Sequence, residues 1–405
     1  MKTLFLYGLL AICSQVYSQS QQQFPTDAKI ERLKSFWITI FTKYNDDYTL
    51  IHDSEDTDLV YEIVEHKGME HFQRQKKIQR TIKKTQKELS SIIRKNFKKL
   101  NSEETALLAK IPETNRNQKS LRTLVTSIRG QQGMSNRFKD GLVRSTRFLK
   151  QIKEILLKYD MPEELAYLPH VESSFNYFAT SKVGAAGIWQ LMPRTAMAYK
   201  LKINKSMDER LDPLKSSEVA IKLLRDNYRI VKSWPLSITA YNHGTKNIRK
   251  TILHLKSYDP LLVLDSINKQ SFQFASKNFY PSYLAAVEIS QNKKLYFPEL
   301  KDEENHNFQE LIIGKRLSIS KISKKVGLSI EEIRQFNPQI VGVSWKKDFS
   351  LPQGSVIKYP KGNLAEDDHL LLIANKKIRN HFMEVKQWFD ELCGRASKSI
   401  ASILE

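Results

Sequence analysis

Glu172 is the carboxylate around which a reactive site can be built. It stands in Tyr167-Leu-Pro-His-Val-Glu-Ser-Ser-Phe175. Ser181-Lys-Val-Gly-Ala-Ala-Gly-Ile-Trp-Gln-Leu-Met-Pro193 follows, and farther on comes Ala240-Tyr-Asn-His-Gly244. Leu165, Leu168 and Val171 recur at helical spacing, so the segment from Pro162 predicts a helix with one buried face. Pro162 suits a first helical turn, and Pro169 a kink or a fresh start just before the acid. A carboxyl among apolar and aromatic groups loses hydration in its charged form. Its pKa therefore rises, and it stays protonated as a general acid. An arbitrary glutamate is by default a solvated helix-end residue, but the Tyr, Asn, Gln and Ser side chains of the neighbouring words weigh against that here. One acid in such company suits cleavage of a glycosidic bond.

A second carboxylate is not evident. Two-carboxylate glycosidases set their acids roughly 5 Å or about 6.5–9.5 Å apart. No Asp or Glu occurs from Ser173 to Met207, nor from Asn227 to Tyr258. Asp208, Glu209 and Asp212 are the nearest candidates, and Asp212, preceding Pro213, reads better as a helix N-cap. A sole acid favours substrate assistance, in which the sugar's own N-acetyl group does the nucleophile's work.

Glu172-Ser173, the run Gly184-Ala-Ala-Gly-Ile-Trp-Gln190 and the triplet Ala240-Tyr-Asn242 together resemble the Slt-type lytic transglycosylases of bacterial cell-wall metabolism. The flanking words Ile128-Arg-Gly-Gln-Gln-Gly133 and Arg137-Phe-Lys-Asp-Gly141 bring the chain nearest the membrane-bound lytic murein transglycosylase D group. The resemblance covers roughly Ser127 to Gln291 and implies a lysozyme-like, mostly α fold. It also implies that Glu172 protonates the glycosidic oxygen, then serves as base on the C6 hydroxyl of N-acetylmuramic acid, leaving a 1,6-anhydro end. By the same resemblance Tyr241 sits near the acid, Asn242 belongs to the same triplet, Gln190 binds substrate, and Ser181 attends the N-acetyl group of the intermediate. Trp189 stands where many members carry methionine; its indole suits stacking on a sugar ring or core packing. Gly184 and Gly187 permit a tight turn. Tyr280, in the closing helix around Asn278–Ala286, is expected to reach the cleft.

The elements that must hold this site follow from the rest of the chain. With 405 residues, more than one domain is expected. Met1-Lys2, the apolar run Leu4 to Ile12 and Val16-Tyr-Ser18 have the three parts of a signal peptide (1–18), with acylation at Cys13 as the rival reading. Its removal leaves Cys393 as the one cysteine, and export to the periplasm or cell envelope follows. Residues 19–118 read as a helical arm around the core. Within it, Lys67 to Lys99 forms a long basic helix whose apolar side is Ile78, Ile82, Leu89, Ile92 and Ile93. The catalytic domain spans 119–298. Leu214, Ile221, Leu224, Tyr228 and Val231 make one stripe, and Trp234 to Asn242 a short buried helix ended by Gly244. After Lys301-Asp-Glu-Glu-Asn305, residues 308–360 read as a βααβ unit closed by Asn337-Pro338. This order resembles a LysM module that binds N-acetylglucosamine chains, although Gly314-Lys-Arg-Leu317 replaces the usual Gly-Asp-Thr-Leu turn. Residues 361–405 read as a helical tail.

Lys and Arg number 65 against 44 Asp and Glu, a formal charge of +21. For an exported chain the anions met first are peptidoglycan stem carboxylates and envelope lipid phosphates rather than nucleic acid. The Lys67–Lys99 run is read as a solvated helix face. His66 and His71 lack metal-ligand spacing, His170 and His243 have no ligand cluster, and no glycine-rich phosphate loop occurs, so no cofactor or metal is expected. Two other readings stand beside the transglycosylase. One is a goose-type lysozyme, which needs a carboxylate to place water. The other is a non-catalytic wall-binding scaffold, which has no need of a desolvated acid.

Overall fold

The computed structural model describes residues 23–267, 274–301, 308–342, 345 and 347–360. The signal-peptide features, including Cys13, and the tail with Cys393 lie outside the described residues. Two compact units emerge, one holding the described residues up to Leu201 and from Pro213 to Lys301, the other Lys202–Asp212 and the described residues from Phe308 on. The molecule is mostly helical.

The first unit opens with α1 (Ala28–Thr42), capped by Asp27, whose carboxylate accepts from the Ile30 amide at 2.7 Å. Phe36, Ile40 and Phe41 fall on its buried side and pack with Phe138, Leu142, Ala285 and Ile289. Phe41 stacks on Phe138 at 4.7 Å. The expected arm is therefore part of the core, and it is not all helix. Strands β1 (Tyr48–Asp53) and β2 (Val60–Glu65) pair antiparallel, and β3 (Ile128–Gln132) joins β1 on its other edge. Five of the six β1 residues are buried. A central strand covered on both faces shows no alternation, so its pattern cannot be told from that of a short buried helix.

A basic helix forms, α2 (His71–Arg94), shorter at both ends than the Lys67–Lys99 run, since Asn96, Phe97 and Lys99 take left-handed backbone. Ile78, Leu89 and Ile92 are buried beside Ile51, Leu107 and Leu121, with Ile82 and Ile93 at the edge. Lys76, Lys77, Lys83 and Lys84 are exposed. Helices α3 (Ser102–Lys110) and α4 (Gln118–Ser127) complete this layer, and α5 (Ser135–Ser145) and α6 (Leu149–Lys158) lead toward Glu172. Beyond it run α7 (Leu168–Ser173), α8 (Pro193–Ala198), α9 (Pro213–Val231), α10 (Trp234–His243), α11 (Thr245–Leu255), α12 (Pro260–Ser266) and α13 (Phe279–Gln291). Gly244, at φ 90°, ends α10. Val231, Leu236, Ala240, Ile248 and Ile252 share one core cluster.

In the second unit β4 (Phe308–Ile312) pairs antiparallel with β7 (Val356–Pro360), with Leu311 opposite Ile357. Between them lie β5 (Leu317–Ser318), α14 (Ile319–Val326), α15 (Ile330–Phe336) and β6 (Ser350–Leu351). Ile313, Ile319, Ile322, Val326, Ile333 and Ile357 are fully buried. The sequence offers no hint of its last component, residues 202–212. Met207 bridges Ile340, and the Asp208 amide donates to the Gln339 carbonyl at 2.8 Å. The Lys358 ammonium donates to both oxygens of Asp212, with 3 % and 2 % of the two side chains exposed. Gly342 passes so close that a Cβ there would lie 1.8 Å from the Lys205 carbonyl oxygen. Asp212, the residue just before Pro213, is also an ion-pair partner inside this unit.

Candidate functional site

Glu172 is delivered by a broken helix. A 3-10 turn, Glu163–Tyr167, runs into α7, which carries Pro169 in its first turn. The helix stops at Ser173, one residue past Glu172. Ser174 and Phe175 both adopt left-handed backbone, at φ 51° and 53°. A non-glycine residue held there costs about 1–3 kcal/mol unless its surroundings impose it. Here α5 imposes it. A Cβ on Gly141 would lie 2.7 Å from the Ser174 carbonyl oxygen, and Arg144 Nη2 donates to that oxygen at 2.8 Å. Phe175 is fully buried against His170 at 4.5 Å, and the other side of His170 stacks on Phe138 at 5.0 Å. Burial and then Arg144 push the His170 pKa down to about 3, so this imidazole is neutral and packs as an aromatic.

A cavity of about 470 Å³ opens on Glu172. Ser173, Ser174 and Asn176 line it on the α7 side, and Met134, Arg137, Asp140 and Arg144 on the α5 side. The Glu172 side chain is recessed rather than sealed. It keeps some surface toward the cavity, while burial pushes its pKa up from 4.5 to about 8. The cause of that rise is burial. A group of this kind is protonated at neutral pH and can donate.

Tyr241 lies within electrostatic reach. Its phenol is held well above the usual range, first by burial and then by Glu172. Its hydroxyl donates to the Trp189 carbonyl at 2.7 Å, and Ser173 Oγ donates to the Ile188 carbonyl at 3.0 Å. The two bonds fasten the 181–190 loop beside the acid. Gly184 and Gly187 take φ of 88° and 78°, as a tight turn requires. Gln190, itself at φ 46°, donates to the Gly187 carbonyl at 2.9 Å, and Ser181 Oγ accepts from the Ala185 amide at 2.9 Å. Both side chains hold the loop in shape. Asn242 is exposed and accepts from Ser276 Oγ at 3.2 Å.

Two expectations need correction. Trp189 has no exposed surface, and its indole donates to Ser217 Oγ at 2.6 Å, so the ring is core and offers no face to a sugar. Tyr280 is 1 % exposed and donates to the Pro25 carbonyl at 3.0 Å, so it does not reach the cavity. The search for a second carboxylate also resolves differently. Asp208 pairs with Arg210 at 2.7 Å, Glu209 accepts from the Lys202 amide at 2.7 Å, and Asp212 pairs with Lys358. The carboxylate that does line the cavity is Asp140, far upstream of Glu172. Its signal was the i, i+3, i+7 spacing of Arg137, Asp140 and Arg144, which places all three on one face of α5. Among the described residues no group of three or more His, Cys, Asp or Glu side chains is placed to hold a metal ion.

Known proteins share sequence with part of this chain. A family model described as the transglycosylase SLT domain matches residues 151–260. The chain is 30% identical over 205 residues to membrane-bound lytic murein transglycosylase D of Escherichia coli (strain K12), an alignment covering 50% of this chain and 45% of that protein. It is 28% identical over 144 residues to membrane-bound lytic murein transglycosylase C of Actinobacillus pleuropneumoniae serotype 5b (strain L20), covering 32% and 38%. The chain thus spans less than half the length of these curated relatives. The crystal structure of the 70 kDa soluble lytic transglycosylase from Escherichia coli aligns with a TM-score of 0.28 at 21% identity, over 33% of this chain and 22% of that one. The chain carries a transglycosylase SLT domain at residues 151–260 and is homologous, across its aligned half, to membrane-bound lytic murein transglycosylase D.

Proposed function

We propose that this protein is a peptidoglycan lytic transglycosylase that cleaves the β-1,4 bond between N-acetylmuramic acid and N-acetylglucosamine, with Glu172 as its sole general acid and base. The observation that carries the reading is the recessed carboxyl of Glu172, protonated at neutral pH by burial alone and open to a cavity. In the first step Glu172 gives its proton to the glycosidic oxygen as the C1–O bond breaks, and the substrate's N-acetyl oxygen bonds to C1. Glu172, now a carboxylate, takes the proton of the C6 hydroxyl. The C6 oxygen then attacks C1, displaces the N-acetyl oxygen and closes the 1,6-anhydro ring. No water is consumed. The substrate already holds that hydroxyl near C1, so ring closure gains from proximity. Tyr241, near the acid, and Ser181 are assigned to holding the N-acetyl group, and Gln190 and Asn242 to binding substrate.

Asp140 supports a second reading. A carboxylate in the same cavity could place water and make the enzyme a hydrolase of the goose-type lysozyme kind. Mass analysis of released muropeptides separates the two, because anhydro products are lighter by one water. Anhydro ends from the earliest time points support the transglycosylase; reducing ends assign Asp140 as base.

The placement in the cell is part of the proposal. The apolar run after Met1 supports export to the envelope, where an excess of basic residues would meet stem carboxylates and lipid phosphates. Among the described residues no helix is long and apolar enough to cross a membrane. The βααβ order of the second unit supports a LysM-like role in holding glycan. A chain ending at Leu300, carrying Asp212→Asn so that no charge is orphaned, should be retained less on insoluble peptidoglycan. Equal retention would assign wall binding to the first unit.

A further inference from the structure

The face of α5 that looks into the Glu172 cavity is charged, and the proposed chemistry does not use that charge. Arg137 and Asp140 lie one turn apart on it, and both are exposed. Burial alone accounts for the state of Glu172, so Arg137 is not there to tune the acid. Nor is it spent structurally. Among the described residues its ion pair is to Asp46, at 3.7 Å, and 55 % of its side chain is exposed. Such a pair contributes about 0–1 kcal/mol, which leaves the guanidinium free to swing. The sugar rings of the glycan are uncharged. The anionic part of the substrate is the peptide hung on the lactyl group of muramic acid, which carries free carboxylates.

We propose that Arg137 forms a carboxylate-binding subsite for this stem peptide beside Glu172, so that the cleft favours peptide-bearing over peptide-free glycan. The inference rests on the transglycosylase reading and names a specificity determinant for it. A planar guanidinium fork matches a carboxylate with two parallel hydrogen bonds, which an ammonium cannot reproduce. Asp140 faces the same cavity and is suited to an amine of the same peptide; Arg137 alone carries the proposal.

The test compares two soluble substrates, glycan strands with their peptides and the same strands after enzymatic removal of the peptides. The full chain should show a higher kcat/KM on peptide-bearing strands. Arg137→Gln should lower the ratio between the two substrates about tenfold, chiefly through KM, as expected for one partly solvated charge-assisted contact. Arg137→Lys should fall between. Amidating the stem carboxylates should lower the parent's ratio to that of Arg137→Gln and leave the variant's ratio where it is. A ratio indifferent to Arg137→Gln, or to amidation, overturns the subsite. Failure of the parent to form anhydro ends on either substrate overturns the transglycosylase reading instead, so the two failures are told apart.

Discussion

Glu172→Gln should make the protein inactive and more stable, and the gain in stability should depend on pH in a defined way. Burial lifts the carboxyl from 4.5 to about 8 in the folded chain. At about 1.4 kcal/mol per pH unit between those values, the ionised form costs on the order of 5 kcal/mol more in the folded than in the unfolded chain. The folded-state pKa lies above the unfolded one. The stabilising effect of the protonated carboxyl is therefore complete below about pH 4.5, erodes as pH rises, and is gone above about pH 8. Glutamine is neutral in both states. The variant's advantage should be near zero at about pH 4.5, roughly 3 kcal/mol near neutral pH, and level above about pH 8. Paired thermal melts at stepped pH read this directly, as a difference of several degrees that widens with pH at roughly 2–4 °C per kcal/mol. Turnover on purified peptidoglycan should fall by about 10⁴-fold or more, because in the proposed mechanism one group gives and takes the proton. A melting difference that stays flat with pH, or shrinks as pH rises, would refute the desolvation of Glu172. Near-normal turnover by the folded variant would remove it from the mechanism.

Three other outcomes follow from particular contacts. The kcat/KM profile should fall on its alkaline side with an apparent pKa of about 8, because the acid must hold its proton when substrate arrives; a falling limb near 4.5 would mean the carboxyl is hydrated. Gly141→Ala places a methyl 2.7 Å from the Ser174 carbonyl oxygen and should cut activity at least about tenfold, because a displacement near 1 Å is costly in a positioned site. Circular dichroism should show the helices retained, and full activity would mean that the turn after Glu172 does not need α5. Asp212→Ala leaves the Lys358 ammonium buried and unpaired and should destabilise the second unit by about 3–5 kcal/mol, while Asp212→Leu with Lys358→Met should recover much of that. Limited proteolysis between Asn305 and Pro360 would report both, and equal resistance of Asp212→Ala and parent would show the pair to be unimportant.

The site was legible where chemistry and spacing coincide. Glu172 could be singled out because apolar neighbours at helical spacing and a glycine-turned loop are local signals, and the structure sets Tyr241, Ser173 and the 181–190 loop around it. Side-chain direction was not legible. Trp189 and Tyr280 have the residue types of a sugar-binding cleft, yet each spends its polar atom on an internal partner, Ser217 Oγ and the Pro25 carbonyl. Nothing in their local spacing distinguishes the two uses. Arg137 and Asp140 stood out only as part of a family word; their place beside Glu172 was not legible, because tertiary packing brings α5 to the acid. The β1 strand was hidden because a strand buried on both faces lacks the two-residue alternation. The 202–212 segment was hidden because its partners, Gln339 and Lys358, lie more than a hundred residues away in sequence.

In the proposed reaction one carboxyl does all the proton transfer and water takes no part. Digestion of purified peptidoglycan in water labelled with heavy oxygen tests it most directly. The released muropeptides should have 1,6-anhydro ends that carry none of the label, from the first time points, and Glu172→Gln should release no such products. Labelled oxygen at the C1 hydroxyl of reducing-end muropeptides, produced at a rate that depends on Asp140, would contradict it and make the enzyme a hydrolase.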